Sequence, residues 1–492
     1  MSIGVVANAQ SPPDQPRVLD AATRQLILKS TGGPEALGKS ISMLARSQAF
    51  ATVNQLLVDA AAKPPSPADQ SVIAAQIDAR QRIQILTHPE VSAAARDFLD
   101  QLFVSRTEAL RSPDRLSAAI AKLSNTNPDE EIASIRTLFA ADEAGVAALV
   151  DSIAQAAIIK TNVDLKSIRD QKLKVALRID RPSTIDALRQ VALYGSAPAR
   201  TNAIAAMARI GVDEFLPELL VALHGQGVTP EESSIAASAI RRGGDALPTR
   251  ETSLRYLRNQ LDQASQSAAS AIREAGRDSI WVLNDKRDGV TLQPAAPILI
   301  QYRRAADAAS RLARIADVAP DSVVCQLVAQ VAYRVVNDPD WGDEDQVKPL
   351  VDSFGTSIDL DQAMQRAVDQ QNDAGMVGLL RIADLIGTTQ LLTTDEPVVA
   401  PLVAAVDHFN PIVRFEAARV IADLLDRDGI SLHSSHEMFA GQSRVIERWQ
   451  QMSTLGNRPT AIVLENRPEV SQQWERMMRQ AGYQAVLVSS VR

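Results

Sequence analysis

Aromatic residues are scarce in this chain, at 4% of the sequence, although hydrophobic residues of all kinds reach 46%. The apolar material is therefore mainly Ala, Leu, Val and Ile, which suits close packing of helix on helix better than a sheet core. Cys325 is the one cysteine, so an intrachain disulfide, a thiolate metal cage and a paired redox motif are all excluded. Its setting, Val323-Val324-Cys325-Gln326-Leu327, is that of an inert thiol inside a helix. No run approaches the roughly 20 apolar residues that span a membrane. No long basic run gathers the 51 Lys and Arg, which 59 acidic residues outnumber for a formal net charge of −8. The electrostatic footprint of a nucleic-acid binder is missing, and a mildly acidic soluble protein is expected.

Motifs that carry chemistry are missing too. The chain contains no G-x-S-x-G elbow, no phosphate loop and no dinucleotide glycine pattern after a strand. Its histidines are His88, His224, His408, His433 and His436, and only His433-Ser434-Ser435-His436-Glu437 approaches a metal pattern. A zinc-protease helix needs H-E-x-x-H, so both the spacing and the glutamate placement fail. The acidic turn Asn337-Asp338-Pro339-Asp340-Trp341-Gly342-Asp343-Glu344-Asp345 invites a calcium reading. Counted from Asp338, however, Gly342 falls where a ligand belongs and Asp343 where the glycine belongs. Asp288-Gly289 and Asp428-Gly429 are ordinary turn steps. No catalytic residue, metal ligand or cofactor site is assigned, and a non-enzymatic protein is expected.

What the chain does contain is helical periodicity. At 492 residues it is too long for one ordinary core, so it is either a few domains or an array whose core grows unit by unit. Residues 17–127 form a helical region broken by stretches such as Lys63-Pro64-Pro65-Ser66-Pro67. There Ser92 and Asp114 stand as N-caps before Ala93–Leu102 and Arg115–Leu123. Across 128–290 a repeating unit emerges. Ile204, Met207, Ala208 and Gly211 share one helical face, and Leu216, Leu219, Leu220 and Leu223 repeat the spacing, with Pro217 in the first turn. After Gly225-Gln226-Gly227 comes a third stripe, Ile235, Ala236, Ala239 and Ile240, closed by Gly243-Gly244. Gly211 and Gly244 are about 33 residues apart, and Leu193 and Leu223 about 30, inside the range of solenoid arrays.

The run Asn410-Pro411-Ile412-Val413-Arg414-Phe415-Glu416-Ala417-Ala418-Arg419-Val420-Ile421-Ala422-Asp423-Leu424 resembles the first half of a HEAT repeat, with its turn proline, Val-Arg pair and Ala-Ala step. Ala199–Gly211 and Glu131–Leu138 with Gly145–Ile153 are weaker copies. The resemblance implies an all-α solenoid of stacked antiparallel helix pairs, without enzymatic activity, that binds a protein partner on its extended surface; an irregular helical bundle is the alternative. Residues 291–398 continue as helical hairpins. Within them Arg303–Ala313 followed by Ala319-Pro320-Asp321 is similar to the second helix and turn of a tetratricopeptide unit. A further HEAT-like repeat and linker fill 399–456. Arg200, Arg209, Arg241, Arg242, Arg414 and Arg419, at first-helix positions, are the candidate partner-binding residues, or else form solvated ion pairs with neighbouring acids.

Both ends depart from this pattern. Residues 1–16 are either a disordered tail or the last part of a secretory signal, since Ala7-Asn8-Ala9 matches a cleavage pattern. The cytoplasm is the expected compartment in the first case, and the periplasm or the exterior in the second. Residues 457–492 change period: Thr460–Leu464 is a strand, Glu469–Gln480 a helix and Gln484–Val488 a second strand. This β-α-β unit resembles the opening of a response-regulator receiver domain. Glu465-Asn466 stands where the family has paired carboxylates, and no strand carries a phosphoacceptor aspartate, so phosphotransfer is not expected of it. A signalling protein whose helical array is fused to a degenerate or truncated receiver-like segment is thus the second functional expectation.

Overall fold

The fold is described from a computed structural model for residues 20–488, without 124–126, 157–162, 245, 272–275, 277, 316–319, 355–357, 394–398, 431–437, 455–459, 466 and 481–483. The N-terminal tail, His433, His436 and Asn466 lie outside the described residues. Those that are described form 24 α-helices, two short 3-10 turns and four strands. No helix among them is long and apolar enough to cross a membrane.

The chain divides into two compact units, residues 1–188 with 283–291, and residues 189–282 with 292–492. In the first unit each helix packs on a near neighbour in sequence. Pro34–Arg46 lies on Ala21–Ser30 and Pro67–Ala75, and Ala93–Leu110 on Phe50–Ala62 and Pro67–Ala75. One core collects Ile41, Leu44, Leu57, Ile73, Ile85 and Leu99. Another joins Leu116, Ile120, Leu138, Leu149 and Ala176. Polar ends are handled locally: Asp78 and Gln81 form a reciprocal cap on Ala79–Thr87, and Gln81 Oε1 also accepts from the buried Ser42 hydroxyl at 3.0 Å. Ser92 caps Ala93–Leu110 as expected, accepting from Ala95 N at 3.3 Å. Asp114 does not cap its helix. Pro113 is preset for the first helical position, so the helix starts two residues earlier, Ser112 takes the cap position and Asp114 falls in the first turn.

In the second unit the same neighbour-on-neighbour packing runs from Ala197–Ile210 to Gln442–Thr454, a solenoid-type stack of helix pairs. Ala197–Ile210 packs on Val212–His224 and Pro230–Arg242. Arg250–Ala269 meets Val212–His224, and Pro297–Ile315, Pro320–Asn337, Asp373–Ile386 and Pro411–Arg427 follow, each on the one before. The Leu219 and Leu220 stripe is buried, and Val212–His224 is broken at Phe215 (φ −127°, ψ 18°). Pro217 thus begins the continuing helix two residues past the break, where its missing N–H is harmless. Gly243 takes the C-cap position after Arg242, and Gly244 follows at φ +91°, a left-handed conformation that suits glycine. The C-terminal core centres on Val331, Met364, Leu379, Val413, Ala417, Ala418 and Ile421.

Strands appear in two places. Thr460–Leu464 and Gln484–Val488 pair in parallel, Ile462 opposite Val486, and Pro468–Gln480 packs on them. Ile462, Leu464 and Val486 share one face of this sheet by register and alternation, and all three are exposed. The second place departs from the helical expectation: Asp278–Leu283 and Val290–Ala295 form a two-stranded hairpin. Six residues are too few for a parallel crossover, so the pairing is antiparallel. The apolar run Ile280-Trp281-Val282-Leu283, the Asp288-Gly289 turn and Val290-Thr291-Leu292 had carried a hairpin signal all along.

Close approach of helices in the second unit depends on Gly378. A Cβ there would lie 2.0 Å from Val331 Cγ1 and 3.0 Å from Val335 Cγ2. Gly378→Ala gains about 1 kcal/mol of helix propensity yet should destabilise by about 1–3 kcal/mol through overpacking. A lower calorimetric melting temperature is the expected outcome.

Candidate functional site

A dense gathering of buried polar groups lies in the second unit, and its acids come from three helices. Glu218 sits in Val212–His224, Glu232 in Pro230–Arg242 and Asp307 in Pro297–Ile315; none is more than 6% exposed. A carboxylate so placed is stable only with matched partners. Asp307 Oδ1 accepts from Tyr194 Oη at 2.8 Å and Arg303 Nε at 2.9 Å, while Oδ2 accepts from Gln190 Nε2 at 2.8 Å. Arg303 then reaches Gln190 Oε1 at 2.6 Å and Tyr333 Oη at 3.0 Å, and lies 5.3 Å from the ring centre of each tyrosine. Ser310 and Gln330 extend the network, joined at 2.8 Å.

Glu218 and Glu232 form a second group. Arg311 Nη2 stands 2.9 Å from Glu218 Oε1 and Arg189 Nε 3.6 Å from it. Glu232 closes the N-terminal cap of its own helix, bonding Thr229 N at 2.9 Å, and turns its other oxygen to Arg200 Nε at 3.3 Å. A helix cap thereby doubles as an anchor for the neighbouring helix. Charges shape one another here. Burial alone would lower the Arg311 pKa, yet the Glu218 charge holds it above the ordinary guanidinium value. Arg314 is lowered by burial and by the charge of Arg200. Burial and the Asp307 charge push the Tyr194 hydroxyl well above the usual phenol range. The cavity between Arg200, Glu218, Glu232, Arg311 and Arg314 holds about 10 Å³, the room of one water.

The six arginines expected at a partner surface fall into distinct settings. Arg200 is one-seventh exposed and tied to Glu232. Arg209, Arg241 and Arg242 are exposed, and Arg242 Nη2 donates to Ala208 O at 3.3 Å, so these three share one end of Ala197–Ile210 and Pro230–Arg242. Arg414 stands half-buried over the Phe415 ring at 5.5 Å. Arg419 is caged by Glu416 at 3.0 Å, Asp423 at 2.7 Å and Asp384 at 2.9 Å. Burial opposes its charge, but the Glu416 and Asp384 carboxylates hold its proton more tightly than usual. Sequence spacing placed these residues on helices but did not separate the exposed from the caged.

Other features singled out in the sequence also have definite surroundings. Arg381 Nη1 donates to Pro339 O at 2.8 Å and to Trp341 O, which pins the acidic turn 337–345 from outside. Among the described residues no group of three or more His, Cys, Asp or Glu is placed to hold a metal ion. Cys325 is half-buried, and burial raises its pKa. His88 stacks on Phe50 at 3.9 Å, and His224 Nε2 lies 3.0 Å from Pro248 O. In the first unit Phe103, Ile77, Ile83 and Leu86 line a groove of about 590 Å³, with Arg82 stacked 4.5 Å from the Phe103 centre.

If the buried charges hold the second unit together, removing one partner should cost more than removing both. Glu218→Gln leaves Arg311 without its nearest counter-charge and should lose about 3–5 kcal/mol. Glu218→Leu combined with Arg311→Met should recover most of that, read from urea denaturation midpoints.

No protein-family model and no curated protein sequence matches this chain; the fold and the side-chain geometry are what a functional reading has to rest on.

Proposed function

We propose that the chain is a helical-repeat scaffold of the HEAT type, without catalysis of its own, that binds a protein partner on the surface of its second unit. The supporting observation is the exposed group Arg209, Arg241 and Arg242 at one shared end of two packed helices. The Arg200–Glu232 ion pair ties the same two helices together nearer their N-termini, so the cations are presented on helices already held to one another. The HEAT-like run also behaves as such a unit needs. Asn410 caps it through Ile412 N at 2.9 Å, Pro411 takes the first turn, and Ala417 and Ala418 are fully buried.

A signalling reading, with the array fused to a degenerate receiver-like segment, draws on the parallel pairing of 460–464 with 484–488 across a single helix. Glu465, at the acidic position, has both oxygens engaged by Arg467, at 3.0 and 2.9 Å. That clamp favours a structural use of the glutamate over a metal-holding one.

Arginines at helix C-termini also offset the helix dipoles, and a test has to separate this from binding. Arg241→Glu with Arg242→Glu should abolish recovery of the partner in pull-downs from the source cell and shift the melting temperature by only a few degrees. Unaltered recovery would remove these arginines from the interface.

A further inference from the structure

Within the first unit, Asp151 has a setting shared by no other carboxylate described above. It projects from the helix Glu143–Ala154 toward backbone, with no Lys or Arg paired to it among the described residues: its Oδ1 accepts the Val290 N–H at 2.7 Å. The approach is possible because the preceding residue is glycine. A Cβ on Gly289 would lie 2.6 Å from both Cγ and Oδ1 of Asp151. Gly289 and Val290 are both buried against this seat, whereas Asp285, Lys286 and Arg287 at the tip of the turn are exposed. The turn is braced internally, with Asn284 Nδ2 donating to Asp288 Oδ1 at 3.0 Å and Asp288 N to Asn284 Oδ1 at 3.1 Å. Asp288 therefore holds a second negative charge close to Asp151.

We propose that Asp151 is a proton-controlled seat for the turn 284–290, which docks firmly when the carboxyl is protonated and is loosened when it ionises. The protonated group keeps an oxygen free to accept Val290 N–H, so the hydrogen bond survives while the repulsion from Asp288 disappears. On the helices packed against Glu143–Ala154, Asp114, Arg115 and Lys122 of Pro113–Lys122 are exposed to solvent, and two further charged groups have defined partners, the lysine's being Ser152 beside Asp151. Lys172 Nζ donates to Ser152 Oγ at 2.8 Å, and Glu131 accepts from Gln171 Nε2 at 2.5 Å. The balance of forces follows the geometry: burial raises the Asp151 pKa, the Val290 hydrogen bond lowers it, and the Asp288 charge raises it again, to about 6. Because the seated value lies above the ordinary one of 3.8, the docking free energy is fully present below pH 3.8 and is lost as pH rises through about 6.

Hydrogen exchange of the Val290 amide in the full chain, corrected for intrinsic rate, tests this between pH 4 and pH 8. Its protection should fall by up to about a hundredfold in the natural protein, the ratio set by the displacement from 3.8 to about 6. Asp151→Asn keeps the acceptor and cannot ionise, so its protection should stay level across the range. Asp288→Asn removes the repulsion and should shrink the fall, a second variant that decides the matter should the first fold poorly. Protection that is level in the natural protein, or that falls equally in Asp151→Asn, overturns the proposal.

Discussion

A charge taken out of water must find its opposite, and in the second unit this requirement decides how the helices meet. Glu218, Glu232 and Asp307 would each be intolerable alone among the alanines and leucines around them. Each is met by arginine from another helix or from a neighbouring turn of its own: Arg311 and Arg189, Arg200, and Arg303. Apolar stripes are permissive about sliding, because one Leu-Ala interface resembles another. Ion pairs and the Tyr194–Asp307–Gln190 hydrogen bonds are not, since their strength falls away within an ångström of misplacement. The hydrophobic effect supplies the drive for stacking, and the buried polar groups select one register.

Local signals were the ones that could be read along the chain. The C-terminal strands Thr460–Leu464 and Gln484–Val488 lie where the short apolar runs put them, and Ser92 caps the helix that it precedes. Pro217 marked a helix start, and Gly243-Gly244 a helix end, for reasons of backbone geometry alone. Asp114 lies two positions inside the helix and not at its cap, because Pro113 also favours a helix start and won. The hairpin Asp278–Leu283 with Val290–Ala295 went unread although its turn step was recognised, since a short apolar run between long helices has no period of its own.

The candidate site was far less legible. Glu218 and Arg311 lie on helices far apart in the chain, and nothing local to either residue announces the other. Helical spacing could list arginines on first helices but not rank them, because exposure is a property of the stack. Arg200 and Arg419 are committed to carboxylates, while Arg209, Arg241 and Arg242 stand at an open end. Which cations reach the surface is decided by how the helices stack, and that is a three-dimensional fact.

The small parallel sheet near the C-terminus has a practical consequence. Pro468–Gln480 packs on the sheet, and Ile462, Leu464 and Val486 on one face are exposed to solvent, in a sheet of only two strands among the described residues. Such a surface is adhesive in proportion to concentration. Charged substitutions at Ile462 and Leu464 are therefore the first handle on colloidal behaviour that this surface offers.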